Sequence, residues 1–453
     1  MLSIVVLLAF FAMLGAMLLG DKRLAYVWVF LSVLFFPPCV YFLQKPQVSP
    51  QQVFLYIFFI VSLLKNRSVF MDAVFKHPLR VPLLFLFISL MLTSVLTGEG
   101  VKGIYNVFRY YMENYAYLIV AFVGGLNYDK IQLEKKWFIP VMILFFFGVI
   151  EYVFRSNYLF PFICKAFPYY DGYYDLSSAV SASRSYRTRI FLTTTHPTVL
   201  GCMLCGALML FTCRLKSIHW SSSKLWMAWG ALFLMIFMSG SRTAMVCALI
   251  GLVIFAFMKV GIRMKFMIIV LVGFIGAAVL PKAVDTFSVE GQGSSVSLRQ
   301  EQLLFSYLQF MKSPIYGNGV RYTSKYVMER DTYNDRVVDD EIGGLESVIF
   351  FTLIDYGMVG IATYLMLFLM ALFYFIRHSH STYAQAGFLI TICFFIFACL
   401  SGEIGGNNTF AYLLMGYCMG AVYREEEHED DDEKEKSLDG NDSIDEAILE
   451  GKA

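Results

Sequence analysis

Apolar runs of roughly membrane-spanning length alternate with short polar breaks along almost the whole chain. A helix needs about 20 residues to cross the hydrocarbon core. The runs that approach this length are Leu2 to Leu19, Leu24 to Leu43, Gln52 to Leu64, Val81 to Leu96, Ile104 to Phe122, Trp137 to Phe154 and Phe191 to Cys213. They continue as Leu225 to Met238, Ala244 to Met258, Phe266 to Leu280, Met358 to Ile376, Ala384 to Leu400 and Ile404 to Val422. The pattern predicts an all-α polytopic integral membrane protein of about 12–13 transmembrane helices. One break stands apart: Ser239-Gly240-Ser241-Arg242-Thr243-Ala244 divides the run from Leu225 to Met258 and reads as a hairpin tip. A guanidinium there costs a few kcal/mol if it faces lipid, so a polar cavity or an anionic partner is the cheaper arrangement.

Lysine and arginine fall unevenly between the runs. Lys22 and Arg23, Lys65 to Arg80, Lys130 to Lys136, Arg214 to Lys224, Lys259 to Lys265, and Arg377 all lie in alternate breaks. Such a bias marks the cytoplasmic side. The expected topology therefore has the N-terminus outside as a retained anchor, the C-terminus inside, and both long loops (about 155–190 and 281–356) on the outer face.

Composition excludes an ordinary soluble domain, since 58% of residues are hydrophobic and only 16% charged. The net charge of +1 hides an asymmetry, because the segment after Arg424 carries fourteen acidic residues against three lysines. Residues 1–424 read as a single membrane domain and 425–453 as an acidic, disordered cytoplasmic tail. Eight of the nine cysteines fall in expected spans and Cys164 in an outer loop, so no disulfide framework is implied. Cys202-x-x-Cys205, inside an apolar helix, reads as buried packing and not as a redox or metal motif.

On this topology the membrane-embedded charges gather at the outer rim. Arg109 and Glu113 lie on the outer half of the fifth span, Glu151 and Arg155 at the end of the sixth, and Arg189 and His196 at the start of the seventh. Arg242 caps the hairpin and Glu403 precedes the last span. Ionisable residues in a membrane normally mark a functional cavity. Two plainer readings stand beside this one. Arg109 and Glu113, four apart on one helix face, can neutralise each other, and Arg242 can snorkel to the interface.

The second outer loop adds Ser297-Leu298-Arg299-Gln300, with the spacing of a capping box. Leu303, Leu304, Tyr307, Leu308 and Met311 follow at helical intervals up to Pro314 and Gly317-Asn318-Gly319. This predicts an amphipathic surface helix with Arg299 on its apolar stripe. After a polar, acidic stretch, Glu346-Ser347 opens a second short apolar segment, where Glu346 reads either as a site residue or as an acidic residue favoured at a helix N-terminus.

In their order these elements resemble the bacterial O-antigen ligase and O-antigen polymerase superfamily. The matching pieces are Arg189 with His196-Pro197 and Gly201, then Ser239 to Ala244, then Arg299 leading into Pro314-Ile315-Tyr316-Gly317-Asn318-Gly319. Glu346-Ser347 follows, ahead of Leu353, Gly357 and Gly360. The resemblance covers about Arg187 to Ile376. The ligases carry a histidine where Glu346 stands, which leans toward the polymerase branch.

The resemblance implies glycan transfer from undecaprenyl diphosphate to an acceptor hydroxyl on the outer face of the inner membrane, without a cofactor, nucleotide sugar or metal. It implies Glu346, Arg242 and Arg299 as catalytic residues, and the gathering of charges at the rim adds Arg189, Arg109, His196, Glu151 and Glu403 as candidate substrate-binding residues. Arginine suits a diphosphate because its planar fork donates paired hydrogen bonds and stays charged. A carboxylate beside an apolar wall can act as base. Expected partners are lipid-linked oligosaccharide donor and acceptor, membrane lipid, a chain-length regulator and a flippase, with no nucleic acid. A ligase remains the alternative, and a lipid-linked oligosaccharide transporter a further one. A transporter should show inverted repeats and helices broken near the midplane, which the sequence does not display.

Overall fold

A computed structural model describes residues 2–21, 25–43, 48–65, 67–127, 133–168, 183–184, 187–215, 222–261, 295–324, 347–401 and 408–427. The apolar runs become helices because inside a bilayer only a helix satisfies its backbone groups within one segment. In chain order these are α1 (Leu2–Leu19), α2 (Ala25–Phe35), α3 (Pro50–Lys65), α4 (Arg67–Phe75), α5 (Arg80–Leu96), α6 (Gly100–Asn114) and α7 (Ala116–Gly125). Next come α8 (Leu133–Lys136), α9 (Phe138–Phe154), α10 (Leu159–Ala166), α11 (Pro197–Arg214), α12 (Ser222–Met238) and α13 (Arg242–Lys259). The remainder are α14 (Ser295–Phe310), α15 (Val348–Arg377), α16 (Thr382–Leu400) and α17 (408–427). Among the described residues the only paired strands are the two-residue β1 (Ser183–Arg184) and β2 (Arg187–Thr188).

The protein is an all-α polytopic membrane fold. Every expected span except Phe266 to Leu280, which lies outside the described residues, contains helix, though Leu24 to Leu43 is helical only over Ala25–Phe35. Among the described residues four helices are singly long and apolar enough to cross a membrane, namely α11, α13, α15 and α16. Several others are apolar but shorter.

The apolar surface sorts the helices into centre and rim. In α11, 83% of the spanning window is buried, and α17 is buried along nearly its whole length, whereas α13 buries only 22%. The outward faces of α1, α5, α9, α12 and α13 carry exposed Leu, Ile, Val and Phe, including Leu8, Phe85, Phe146, Phe237 and Leu249. Large apolar side chains left bare on so many helices fit a lipid-facing surface.

The helix ends fall on two levels. At the lysine- and arginine-rich level, Lys65 Nζ donates to Leu18 O at 3.4 Å, and Arg214 donates to Thr382 Oγ1 at 2.8 Å while covering the Tyr383 ring. His378 meets Glu426 there at 2.6 Å, and Ser381 donates to Glu425. At the opposite level, Val348 N donates to Ser401 O at 3.1 Å and Thr93 Oγ1 to Tyr316 O at 2.6 Å.

Three expected elements take a different form. The span Ile104 to Phe122 is broken into α6 and α7 at Tyr115, whose ring meets Tyr110, Tyr111 and Tyr412. The seventh span starts at Pro197 and not at Phe191, because proline belongs at the first turn of a helix. Ahead of it, Thr193 donates to Leu34 O at 2.7 Å in a turn. The surface segment expected after Glu346 and the next span form one helix, α15, kinked at Gly357.

Candidate functional site

The hairpin tip between α12 and α13 is built from its own short side chains. Ser239 Oγ donates to Ile236 O at 2.7 Å, Gly240 takes φ 60°, and Ser241 caps α13 by accepting from Ala244 N at 3.3 Å. The tip packs on the start of α11, where Gly201 leaves the room: a Cβ there would lie 2.6 Å from Ala244 Cβ. Arg189 closes over it, with Nε donating to Ser239 O at 3.1 Å, while Ile190 N donates to Met238 O at 3.2 Å. Arg242 occupies the first position of α13 and is exposed. A cation at a helix N-terminus is opposed by the helix dipole by roughly 0.3–1 kcal/mol, so this end gains from an anion. Arg189 and Arg242 thus flank one turn, as their order along the chain suggested.

The turn that carries Arg189 is held from below by Glu151. Its two oxygens accept from Phe191 N at 2.9 Å and Leu192 N at 3.0 Å, and the side chain is 4% exposed. Asn157 Nδ2 donates to Leu192 O at 2.8 Å. Here Glu151 serves the turn: two backbone N–H groups left without secondary-structure partners claim its carboxylate. His196 is likewise a capping residue, its Nδ1 accepting from Thr198 N at 3.2 Å.

A second group of charges lies on the same level. Arg109 pairs with Glu113 at 2.6 Å, and Gln52 donates to the same oxygen at 2.8 Å. Arg321 takes the other carboxylate oxygen and stacks over Tyr110. Arg109 and Glu113 do pair along one helix face, but a second arginine from a distant loop shares the carboxylate, so the pair does not close on itself. Sequence reasoning missed Arg321, because nothing local in the chain signals a partner 208 residues away.

Arg321 is delivered by a backbone junction. Asn318 N and Gly319 N donate to Ile354 O and Asp355 O, both at 3.1 Å, and Met358 N and Val359 N donate to Pro314 O and Ile315 O at 2.9 and 3.0 Å. The kink at Gly357 (φ 63°, ψ −159°) frees these groups of α15 for the loop. A Cβ on Gly357 would sit 2.6 Å from Ile315 O. Asp355 then accepts from Thr323 N at 2.8 Å, and Thr93 holds Tyr316, so the Pro314–Thr323 loop is clamped between α5 and α15.

Arg299 lies near the start of α14, and its side chain is not among those described. Glu346 and Glu403 lie outside the described residues, although Ser347, the next residue after Glu346, hydrogen-bonds to Ala398 O at 3.4 Å at the end of α16.

No curated protein matches the chain. Residues 227–365, less than half of the 453, match the family model described as O-antigen ligase. This segment holds the Ser239–Arg242 tip, Arg299, Arg321 and the Gly357 junction, and it supports placing the chain in the O-antigen ligase and polymerase superfamily.

Proposed function

We propose that the protein is a glycosyltransferase that polymerises undecaprenyl-diphosphate-linked oligosaccharide repeats into O-antigen or capsule on the outer face of the inner membrane. The observation that carries this reading is Arg189 folded over the Ser239–Arg242 tip, at the bundle end opposite the basic loops. In the proposed reaction an acceptor hydroxyl attacks the anomeric carbon of the donor sugar. The bond from that carbon to the diphosphate oxygen breaks, and undecaprenyl diphosphate leaves with the electron pair. Arg242 and Arg299, with Arg189 beside them, hold the leaving diphosphate where its charge grows, and such placed donors contribute most when water is excluded. Glu346 accepts the hydroxyl proton. The Arg109–Glu113–Arg321 cluster holds the shape of the rim.

The family description favours one competing reading, an O-antigen ligase that transfers the finished glycan to lipid A-core or a protein acceptor. A gel of surface polysaccharide from a strain lacking the gene separates the two. Loss of the ladder with a single repeat still attached supports a polymerase, and loss of all attachment supports a ligase. An unchanged ladder rejects both.

A further inference from the structure

Cys39, expected inside the second span, lies instead in the turn that follows α2, after Phe36-Pro37-Pro38. Proline lacks the N–H that would continue the helix, so the chain leaves α2 at the level of the functional site and comes up against α10. Tyr41 N donates to Pro168 O at 2.7 Å, the Phe36 and Phe167 rings meet at 5.7 Å, and Phe10 packs on both. Cys164 sits on the buried face of α10 with Phe160 and Ile163, close beside Cys39. Cys39 is partly exposed while Cys164 is buried.

We propose that Cys39 and Cys164 are joined by a disulfide in the mature protein, stapling the α2–α3 turn to α10. The proposal rests on the reading that this end of the bundle faces the oxidising side of the membrane, where disulfides persist. The oxidant is a thiol–disulfide oxidase. Cys39, the more accessible of the two, attacks the oxidase disulfide as its thiol gives up the proton, and expels one oxidase thiol. The Cys164 thiolate then attacks Cys39 Sγ and expels the second. Two electrons and two protons pass to the oxidase, which ends as a dithiol.

The staple bears on the functional site through α10. Asn157, just ahead of α10, accepts from Phe160 N at 2.9 Å and donates to Leu192 O, and Phe160 meets Phe191 at 5.8 Å. A covalent tie at Cys164 therefore limits movement of the turn that presents Arg189. Four other thiols offer a contrast, whereas Cys399, exposed at the end of α16, stands without a cysteine partner to tie it among the described residues. Cys202, Cys205, Cys247 and Cys393 are buried between α11, α13 and α16, where an oxidase has no access, and the Cys393 thiol donates to Cys247 O at 3.3 Å.

Full-length protein from its native membrane is denatured and alkylated with a maleimide polymer before and after reduction. Reduction should expose two more reactive thiols, and an unreduced digest should contain one linked peptide pair carrying Cys39 and Cys164. Cys39→Ser and Cys164→Ser should each abolish that difference. Equal alkylation before and after reduction overturns the proposal. Tyr158→Cys in a Cys39→Ser, Cys164→Ser, Cys399→Ser background, treated on intact spheroplasts with a membrane-impermeant maleimide, shows which premise failed. Labelling without a disulfide rejects the staple alone, whereas absence of both rejects the outward orientation as well.

Discussion

Replacing Gly357 with alanine tests the junction that shapes the site. At φ 63° and ψ −159° the residue occupies a region open in practice only to glycine, and forcing a side chain there costs about 1–3 kcal/mol. The added Cβ would also lie 2.6 Å from both Gly317 N and Ile315 O, so the Pro314–Gly319 strand must move away. The donations from Met358 and Val359 would go with it, at about 1 kcal/mol each. The combined local cost is roughly 3–5 kcal/mol, enough to raise the population of an opened loop by about 100- to 4000-fold at tenfold per 1.4 kcal/mol. Arg321 would then lose its fixed approach to Glu113. The assay compares thermal unfolding in detergent, proteolysis of the loop and the polysaccharide ladder against Gly230→Ala. Gly230 lies in α12 with open space around it, and alanine there should be neutral or stabilising. If Gly357→Ala matches Gly230→Ala in all three, the junction does not support the site and the reasoning is wrong. Gly317→Ala combined with Gly357→Ala should lose little beyond either alone, because both disrupt the same contact.

Further outcomes are expected elsewhere at the rim. Arg242→Ala and Arg299→Ala should each lower polymerisation about 30- to 1000-fold at normal membrane levels, with lysine rescuing only in part; full-length glycan from either alanine variant removes that residue from the donor site. Glu346→Gln should reduce polymerisation by about 100-fold or more. Glu346→His should retain more activity than Glu346→Gln, and should lose it at higher pH than the parent does on acidification, since an ordinary histidine titrates near 6.5; equal activity in all three rejects Glu346 as base. Glu113→Gln should destabilise the protein by about 1–3 kcal/mol, between the cost of an exposed and of a buried pair because both guanidiniums stay partly exposed, and Arg321→Met in that background should recover part of the loss, measured as melting temperature. Reporter fusions after Lys136, Lys224 and Arg377 should read cytoplasm and fusions within 291–340 the outside; the reverse would remove the proposed site from the outer face.

The helices were legible in the sequence because the bilayer requires a local property. A run either is or is not long and apolar enough, and Leu225 to Met238 or Ala384 to Leu400 needs no distant residue to become a helix. The sorting of basic breaks to one level is local in the same sense. The Ser239–Arg242 tip could be read for the same reason, since its cap and its glycine turn use only neighbouring atoms. Where spans end depended on partners: the turn before Pro197 exists because Glu151 and Leu34 accept its backbone and hydroxyl donors. The same difference runs through the contacts of the site residues. Arg109 and Glu113 lie one helical turn apart, so their pairing followed from spacing. Glu151 looked like a cavity carboxylate until the fold brought two unpaired backbone N–H groups to it. Tertiary structure alone decided the meeting of Arg321 with Glu113, of Gly357 with Gly317, and of Cys39 with Cys164. Each joins residues far apart in the chain, and only helix packing sets the distance between them.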